Sequence, residues 1–513
     1  MHIFIGFLCS LLVLLLCSHV FQLLTDARRR LPPGPMPLPV VGNLLHVAGK
    51  LPHRTLARAA AQHGPLMTLR LGTMLAVVAS SPAMAREVLQ RHGASITDRG
   101  KPDTWRTDGH EGNSLFLLPT RDHRWRALRR LGAEQLFSPR RIEEQRPLRR
   151  DAVRGLLRHV AEQLAASGPS GAAAVVDVGR AAFLPMASLL CRQLFSAGID
   201  AATSRELRDA AREFTLRSLT PNVSEFFPLV AMADLQGLRR RTARQITWIY
   251  QLIDGHVVRR RRSRETNCRT AREEDLLDVM LDMSEEQQNN DDESSLTVNL
   301  GVIRAFMADL LMAGSETSSA VIEWAMAELL QNPQTMTKLQ EELKRVIGSK
   351  THIDEEDIDQ LPYLQAVVKE THRLHPAIPL LLYKAAVPVE IQGYTIPEET
   401  AVIVNVWAIH NDPEIWTEPE KFMPERFVQK EISLSSGSTN MELIPFSAGR
   451  WFCLGYPLAN RMLHVILASL VHQFEWTLPE EVVKKNNGVD MAEMFGITLS
   501  MATPLHAVAK NTM

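Results

Sequence analysis

The sequence predicts a mainly α-helical fold with small β-sheets, an α+β protein. From about residue 142 to residue 283, apolar side chains recur at helical spacing. A more continuous apolar pattern runs from Leu296 to Leu330 and indicates one long apolar helix. Strand patterns are short. Residues 66–80 alternate as in a hairpin, and residues 379–397 have the pattern of strands around a turn.

Composition limits the classes of protein to which the chain can belong. The chain has 513 residues, of which 45% are hydrophobic, and this is ample for a large core. The 58 acidic and 57 basic residues nearly balance, so the overall charge does not favour binding to nucleic acid or to acidic partners. The cysteines lack the spacing of a disulfide framework, so the body is expected in a reducing compartment. They are Cys9, Cys17, Cys191, Cys268 and Cys453.

An apolar stretch at the N-terminus predicts a membrane anchor. The stretch from Ile3 to Leu24 is almost wholly apolar and is about long enough to cross a bilayer as a helix. A cleaved signal peptide is the alternative, but no cationic segment precedes the stretch and it has no clean small-x-small site. Arg28, Arg29 and Arg30 come next, and the positive-inside rule then places the body in the cytosol.

This N-terminus also predicts the domain organisation. Residues 1–30 form the anchor with its basic stop, and residues 31–42 form a hinge. The hinge is rich in proline, which fixes φ and favours stiff extended chain, so it acts as a semi-rigid spacer. No strong linker divides residues 43–513, which are therefore expected to form one large domain.

A glycine-flanked loop carries Cys453. Phe446, Gly449, Cys453 and Gly455 stand at the spacing F-x-x-G-x-x-x-C-x-G, just before a helix-like run. The glycines allow a flat ligand to come close to the main chain, and a helix N-terminus favours a thiolate. A lone cysteine in an apolar setting is usually a buried small hydrophobe. The whole loop argues otherwise and indicates a thiolate that binds a soft metal ion or haem iron.

The long apolar helix carries an acid and an alcohol in its middle. Gly314 lies beside them, and a mid-helix glycine costs about 1 kcal/mol relative to alanine. Glu316 and Thr317 in an apolar helix are costly unless hydrogen bonds serve them. The pattern alone leaves two interpretations open. One is an exposed Glu–Thr pair beside a packing glycine, and the other is a functional acid–alcohol pair beside a planar ligand.

Two further charged motifs have both a surface and a functional interpretation. Trp125 and Arg129 are four residues apart in an arginine-dense run and share one helix face. Taken alone, this run is a solvated basic face with an anchoring tryptophan. Glu370 and Arg373 are three residues apart on a predicted helix. Taken alone, they are an exposed pair worth under about 1 kcal/mol.

Taken in the order in which they occur along the chain, these motifs resemble those of the cytochrome P-450 family, and the resemblance covers nearly the whole chain. The resemblance rests on the cysteine loop, the W-x-x-x-R run, the element Ala313–Ser318, the E-x-x-R pair and a P-E-R-F segment. The chain departs from the family pattern at Trp451, where relatives usually have arginine. It departs again at Tyr383 and Lys384, where they usually have proline and then arginine or histidine. The chain looks most like plant microsomal members near the geraniol-hydroxylase and diterpene-hydroxylase branch.

The resemblance implies how a cofactor is held. It implies the cytochrome P-450 fold, with haem b between a long central helix and the cysteine-ligand loop. Cys453 would be the axial thiolate ligand of the haem iron, and the arginine helix and Lys384 would bind the haem propionates. The expected cofactor-binding residues are Cys453, Phe446, Gly449, Arg450 and Gly455 of the loop, and Trp125, Arg129 and Lys384.

The resemblance also implies roles for the other motifs. Glu316 and Thr317 would be catalytic and would relay protons to the oxygen that is being activated. Glu370 and Arg373 would form a structural lock with Arg426 of the P-E-R-F segment. Residues 97–120 would roof the substrate cavity. The expected lining of that cavity is Leu310, Ala313, Ile378, Leu380, Leu382 and Phe495.

The sequence therefore predicts a haem-thiolate monooxygenase that acts on a hydrophobic small molecule. The apolar lining suits a terpenoid. The enzyme would use O2 and electrons from NADPH, with its body on the cytosolic side of the endoplasmic reticulum membrane. A phenylpropanoid or alkaloid substrate remains an alternative. A hydroperoxide rearrangement without O2 is another alternative, and so is a haem-binding protein whose catalysis is impaired or absent because of Trp451.

An acidic electron donor, NADPH–cytochrome reductase, is expected to dock on a basic face of this protein. The face would be built from arginines that follow Trp125 in the sequence. They are Arg126, Arg130, Arg140, Arg141, Arg149 and Arg150.

Overall fold

The fold is mainly helical, with four small sheets among the described residues, as seen in a computed structural model. The structure describes residues 28–166, 173–266, 275–288 and 297–511, except 48 and 487, together with residues 4, 13, 17 and 19–26. Most of the predicted membrane anchor lies outside the described residues. Within the described part of the chain, no helix combines the length and apolar character that a bilayer crossing needs.

The helices account for most of the described chain. In chain order they are α1 (Leu44–Val47), α2 (Pro52–His63), α3 (Pro82–Arg86), α4 (His110–Asn113), α5 (His123–Gly132), α6 (Pro139–Glu144), α7 (Arg146–Ala166), α8 (Val178–Phe195), α9 (Ala201–Ser218), α10 (Val223–Phe226), α11 (Leu238–Thr266), α12 (Leu276–Gln288), α13 (Leu300–Gln331), α14 (Pro333–Ile347), α15 (Pro362–Leu374), α16 (Val406–His410), α17 (Glu425–Gln429), α18 (Tyr456–Gln473) and α19 (Glu480–Asn486).

The strands are short and come from distant parts of the chain. They are β1 (Leu66–Leu71), β2 (Met74–Ala79), β3 (Ala174–Asp177), β4 (Leu380–Lys384), β5 (Val389–Ile391), β6 (Tyr394–Ile396), β7 (Ala401–Asn405), β8 (Phe474–Thr477), β9 (Glu493–Met494), β10 (Ser500–Met501) and β11 (His506–Asn511). The largest sheet has the order β1-β2-β7-β4, with β2 and β7 parallel and the other neighbours antiparallel.

The central helix α13 organises the core. Asn299 caps its first turn, since the side chain accepts a hydrogen bond from the Val302 amide at 3.0 Å, and Asn332 and Pro333 follow its last residue. Its side chains are buried on nearly all faces, which is expected for an apolar helix inside a large protein. Helices α8, α11, α15 and α18 pack around it. The predicted long helix is therefore confirmed.

One expectation about local structure is wrong. The stretch 172–195 has a helical pattern, but Ala174–Asp177 form strand β3 before helix α8 begins. Strand β3 pairs with β11 at the other end of the chain, for example Val175 with Val508. A pairing partner more than 300 residues away leaves no local signal in the sequence, so periodicity favoured helix there.

Candidate active site

The cysteine loop turns tightly before helix α18. The Cys453 amide donates to the Phe446 carbonyl at 2.9 Å. Gly449 has φ of +64°, and a Cβ at that position would lie 2.1 Å from the Leu89 carbonyl oxygen. Both observations require glycine at this position. The ring of Phe446 packs edge-on against Tyr456 with 4.9 Å between centroids, which holds the start of α18 against the loop.

The Cys453 side chain is half-buried. It is enclosed by protein and yet keeps accessible surface. Burial raises the pKa of its thiol, while the backbone N–H groups of Gly455 and Tyr456 and the Arg129 guanidinium act in the opposite direction. A thiolate in such a site needs further positive charge nearby, which a metal ion supplies.

Helix α5 brings Trp125 and Arg129 to this loop. An Arg129 guanidinium nitrogen donates to the Phe452 carbonyl at 2.5 Å, and the guanidinium lies 5.4 Å from the Trp125 ring centroid. Trp125 is buried, and its Nε1 has no hydrogen-bond partner among the described residues. A buried donor without a partner is costly in a folded protein, so this indole points to a missing ligand atom.

Trp451 and Tyr383, the two departures from the family pattern, form one cluster with Arg99. The Arg99 guanidinium lies 4.2 Å from the Trp451 ring centroid and 5.7 Å from that of Tyr383. Trp451 Nε1 donates to the Thr97 carbonyl at 3.0 Å, and the Tyr383 hydroxyl lies 3.1 Å from Ser447 Oγ. Arg99 Nε is buried and has no partner among the described residues.

Arg99 is a candidate functional residue that the sequence reasoning missed. The sequence holds one signal that could have found it. Trp451 stands where relatives usually carry arginine, and the loss of that positive charge requires a cation from another segment. Arg99 lies in the predicted roof loop and supplies a cation at that place.

Lys384 and Arg450 are not placed as predicted. The Lys384 ammonium binds Glu399 at 2.7 Å at the protein surface. The Arg450 side chain is exposed. These positions argue against the predicted propionate contacts, because Lys384 already has a carboxylate partner and Arg450 faces solvent.

The acid–alcohol pair of α13 is buried rather than exposed. Glu316 is 5% exposed, and burial raises its pKa to about 7, with the opposing effect of Arg208 and Arg212 included. The Thr317 hydroxyl donates to the Ala313 carbonyl at 2.6 Å. A carboxyl group that titrates near neutral pH can both give and take protons.

Gly314 packs against a neighbouring helix, which is one of the two interpretations that the sequence left open. A Cβ at this position would lie 2.8 Å from the Leu190 side chain of α8. The glycine therefore allows close packing of two helices.

The predicted lock is formed and buried. Glu370 and Arg373 are both fully buried and make two hydrogen bonds of 2.8 and 2.9 Å. Arg426 Nε reaches a Glu370 oxygen at 3.1 Å. Arg373 also donates to the His410 carbonyl, and the His410 ring accepts from the Ile444 amide at 2.8 Å. The lock is thus connected to the chain segment that enters the cysteine loop.

The predicted cavity lining is divided between neighbouring clusters. Leu380, Leu382 and Phe495 pack in one cluster. Leu310 packs with the core around α13, and Ile378 packs with a third cluster that includes Tyr383. Apart from buried Leu380, these side chains and Ala313 keep partial exposure.

Comparison with known proteins agrees with this geometry. The family model described as Cytochrome P450 matches residues 32–499.

The chain belongs to the cytochrome P450 family.

Relatives match over nearly their full length. Carnosic acid synthase of Rosmarinus officinalis is 40% identical over 501 residues, which are 95% of this chain and 96% of the relative. Cytochrome P450 76C2 of Arabidopsis thaliana is 40% identical, with 93% of this chain and 91% of the relative covered. The 11-hydroxysugiol 20-monooxygenase of Salvia miltiorrhiza is 38% identical, with 95% and 96% covered.

Membership of this family defines the class of enzyme. This P450 is a haem-thiolate monooxygenase that uses haem b with a cysteine thiolate as axial ligand. It takes a hydrophobic substrate, O2 and electrons from a redox partner.

The described residues fit haem b. Cys453 is a half-buried thiol, and Trp125 Nε1 and Arg99 Nε are buried donors without partners among the described residues. Donors of this kind suit carboxylates such as the haem propionates, and the Trp125 and Trp451 rings, 5.3 Å apart, supply apolar surface beside them.

Proposed function

We propose that this P450 hydroxylates a terpenoid with one oxygen atom of O2 and electrons that pass from NADPH through cytochrome reductase. The observation that carries the proposal is a buried acid, Glu316, with a pKa of about 7 beside the Thr317 hydroxyl on the central helix. The substrate class is supported by the names of two relatives, which refer to carnosic acid and 11-hydroxysugiol, both terpenoids. The half-buried apolar lining suits such a molecule.

Cys453 is the axial ligand in this proposal. Trp125 and Arg99 would hold the haem carboxylates, and Arg129 fixes the loop through the Phe452 carbonyl. When bound, haem supplies the iron at which O2 is activated. Because Arg99 brings a cation to Trp451, it supports activity against the alternative in which Trp451 impairs haem binding.

Glu316 and Thr317 move the protons. Monooxygenation consumes two protons as one oxygen atom enters the product and the other leaves as water. The neutral Glu316 carboxyl gives a proton to a water chain, and the Thr317 hydroxyl, whose O–H donates to the Ala313 carbonyl, organises that chain by accepting a hydrogen bond from it. A rearrangement of hydroperoxides without O2 needs no such supply, so the presence of this pair favours monooxygenation.

A reduced-CO difference spectrum tests the ligand. We expect the Soret band typical of thiolate-ligated haem in the wild type and its loss in Cys453→Ala. Cys191→Ala is the matched control, because Cys191 is a buried cysteine of helix α8. A band that persists in folded Cys453→Ala would refute the assignment.

Product assays test the reaction and the substrate class. We expect product only with NADPH, reductase and O2, and we expect terpenoids to give larger binding spectra than phenylpropanoids or alkaloids. Turnover of a hydroperoxide without NADPH would favour the rearrangement, and tight binding of only a phenylpropanoid or alkaloid would refute the terpenoid assignment.

The reductase docks on a smaller basic face than the sequence predicts. Arg149 is buried and bound to Glu355, and Arg150 pairs with Asp354. Arg140 and Arg141 both contact Glu144. The remaining arginines of the predicted face, Arg126 and Arg130, are exposed on one side of α5.

Charge reversal tests this face. We expect Arg126→Glu with Arg130→Glu to raise the KM for reductase several-fold and to reduce the dependence of that KM on salt. Arg205→Glu on α9 is the control, since Arg205 is equally exposed. An unchanged KM in the double variant would exclude docking at α5.

The proposed membrane pose is supported by exposed apolar residues on one side of the body. Leu229 and Met232 are 100% and 93% exposed, and Met36 is 78% exposed. The segment that contains Met36 and the segment that contains Leu229 and Met232 both contact the turn between β1 and β2. The Gly72 amide donates to the Val41 carbonyl, and the Thr73 amide donates to the Phe226 carbonyl.

Flotation with phospholipid vesicles tests the pose on the endoplasmic reticulum membrane. Removal of residues 1–30 is expected to weaken binding, and Leu229→Asp with Met232→Asp is expected to weaken it further. Full binding by the shortened chain with both substitutions would contradict the proposed anchor and surface.

A further inference from the structure

A second buried acid lies two turns beyond Glu316 on helix α13. Glu323 is 4% exposed, and its Oε1 accepts a hydrogen bond from the Leu505 amide at 3.0 Å. Seven residues along a helix bring two side chains to the same face, about 10 Å apart along the axis. The mechanism proposed above gives Glu323 no role, although a buried carboxylate is costly to retain.

A glycine makes room for Glu323 and its cationic partner. A Cβ at Gly179 would lie 2.6 Å from Glu323 Oε2 and 2.8 Å from a terminal nitrogen of Arg208. The carboxylate and the guanidinium therefore meet in the space that Gly179 leaves open near the start of α8. Substitution by any other residue would displace one of the two charges.

The charged row continues to the protein surface. Another terminal nitrogen of Arg208 donates to Asp177 Oδ2 at 3.3 Å. The Asp177 side chain is 21% exposed, while that of Arg208 is 7% exposed. Asp177 is also the N-cap of α8, where its Oδ1 accepts from the Arg180 amide. The row thus begins at a carboxylate that reaches solvent and ends inside the core.

The same helix α9 connects the row to Glu316. Arg208 and Arg212 lie four residues apart on one face of α9, and both act electrostatically on Glu316 and on Glu323. Arg212 is held by a hydrogen bond to the Met501 carbonyl at 3.1 Å. Glu316 and Glu323 of helix α13 therefore interact with the same two arginines of helix α9.

We propose that Glu316 is reprotonated from solvent through this row, with Asp177 as the entry, Glu323 as the second acid and Arg208 as the positioning residue. This inference rests on the proposed role of Glu316. A Glu316 carboxyl that has given up its proton is a carboxylate, and it takes a proton from Glu323 through ordered water. Glu323 then takes one from water at Asp177, and no electron moves in either transfer.

Isosteric variants test the row. Glu323→Gln keeps the shape and the hydrogen bond to Leu505 but cannot relay a proton. We expect product formation to fall roughly tenfold, with a larger share of NADPH consumption released as hydrogen peroxide and a larger solvent isotope effect. Glu328→Gln is the matched control, because Glu328 is a buried acid of α13 that binds His375 outside this row.

Arg208 variants separate positioning from structure. Arg208→Gln removes a cation that lowers the pKa of Glu316, so the infrared carboxyl signal assigned by Glu316→Gln is expected to titrate about one pH unit higher. Arg208→Lys is expected to restore most of the shift. If both variants unfold at the wild-type temperature but the signal does not move, Arg208 does not position Glu316 and the inference fails.

The two proposals fail in different ways. If Glu316→Gln leaves product per NADPH unchanged, the proposed role of Glu316 is wrong. If Glu316→Gln releases peroxide but Glu323→Gln behaves like the control, Glu316 keeps its role and protons arrive by another path.

Discussion

Two charged clusters contact the cysteine loop or the segment that enters it, and they differ in how their charges are satisfied. In the lock, Arg373 binds both oxygens of Glu370 and three backbone carbonyls, and Arg426 adds a further bond to Glu370. In the other cluster, Arg99 lies against the rings of Trp451 and Tyr383, and its Nε has no partner among the described residues.

This difference separates scaffold from ligand site. Buried charges are tolerated when hydrogen bonds satisfy them, and such a cluster needs nothing from outside. A buried donor that remains unpaired is costly, and the cost is removed when a ligand accepts its hydrogen bond. The lock therefore maintains the shape of the loop, whereas we propose that the carboxylates of haem complete the Arg99 cluster.

Breaking the lock is expected to have the largest effect. Arg373→Ala leaves Glu370 as a buried carboxylate without its main partner, which costs about 3–5 kcal/mol. Such a loss is a large part of the total stability of a typical domain. Urea unfolding of the haem-loaded protein measures it. The thiolate Soret band should decrease in parallel, because the loop is connected to the lock through His410.

Arg426→Ala is the matched control for the lock. Arg426 is 13% exposed and Glu370 keeps Arg373 in this variant, so we expect a loss of under half that of Arg373→Ala. Equal losses in the two variants would show that the lock is not centred on Arg373.

The lock was predictable from sequence because its residues form two short motifs with fixed spacing. Its burial was not, since an isolated Glu–Arg pair on a helix is usually exposed. Cys453 and the buried Glu316 were predicted in the same way, from local motifs in a recognised order. Trp125 and Arg129 also lie at the loop as expected.

The remaining features depend on contacts between distant segments. Arg99 contacts Trp451, which is more than 300 residues away in the sequence, and Lys384 forms an ion pair with Glu399. Strand β3 exists because β11 pairs with it. No local pattern encodes these contacts, so a single sequence read by periodicity and motif spacing does not reveal them.

Removal of Arg99 tests the unpaired cluster and is expected to have a smaller effect on folding. A hydrogen bond to a charged group is worth about 1.5–3 kcal/mol, so Arg99→Ala should bind haem roughly tenfold to a hundredfold more weakly. The rate of haem transfer to an excess of a haem-accepting globin measures this.

Arg450→Ala is the control for Arg99, because Arg450 is exposed in the same loop. We expect its haem loss to match the wild type. Faster haem loss in Arg450→Ala than in Arg99→Ala would restore the original prediction for Arg450.

A third buried ionisable group, Asp309 on α13, is satisfied less fully than the lock and more fully than the Arg99 cluster. It accepts hydrogen bonds from the Ser114 hydroxyl and the Leu115 amide at 2.9 and 2.7 Å and so holds the roof loop. No cation hydrogen-bonds to it within the described residues, and burial raises its pKa to about 8. Burial also lowers the pKa of His110, 3.5 Å away, to about 4, so this neighbour is neutral above that pH.

Asp309 is expected to give the smallest effect, seen as a pH dependence of stability. The pKa of Asp309 in the folded protein is above its unfolded value of 3.8. Its contribution to the free energy of unfolding is therefore full below pH 3.8 and is lost as the pH rises toward 8. Between pH 6 and pH 7 the loss is at most about 1.4 kcal/mol. Asp309→Asn removes this loss, because the side-chain amide oxygen still accepts both bonds and carries no charge.

The comparison of wild type with Asp309→Asn isolates this carboxyl from Glu316, which titrates near pH 7 in both proteins. The gap in unfolding free energy between them should move in favour of Asp309→Asn as pH rises from 6 to 8. A gap that stays constant with pH would mean that Asp309 is already ionised at pH 6. A cation or bound water would then satisfy the carboxylate. Asp309 would in that case resemble the lock, in which every buried charge has a partner.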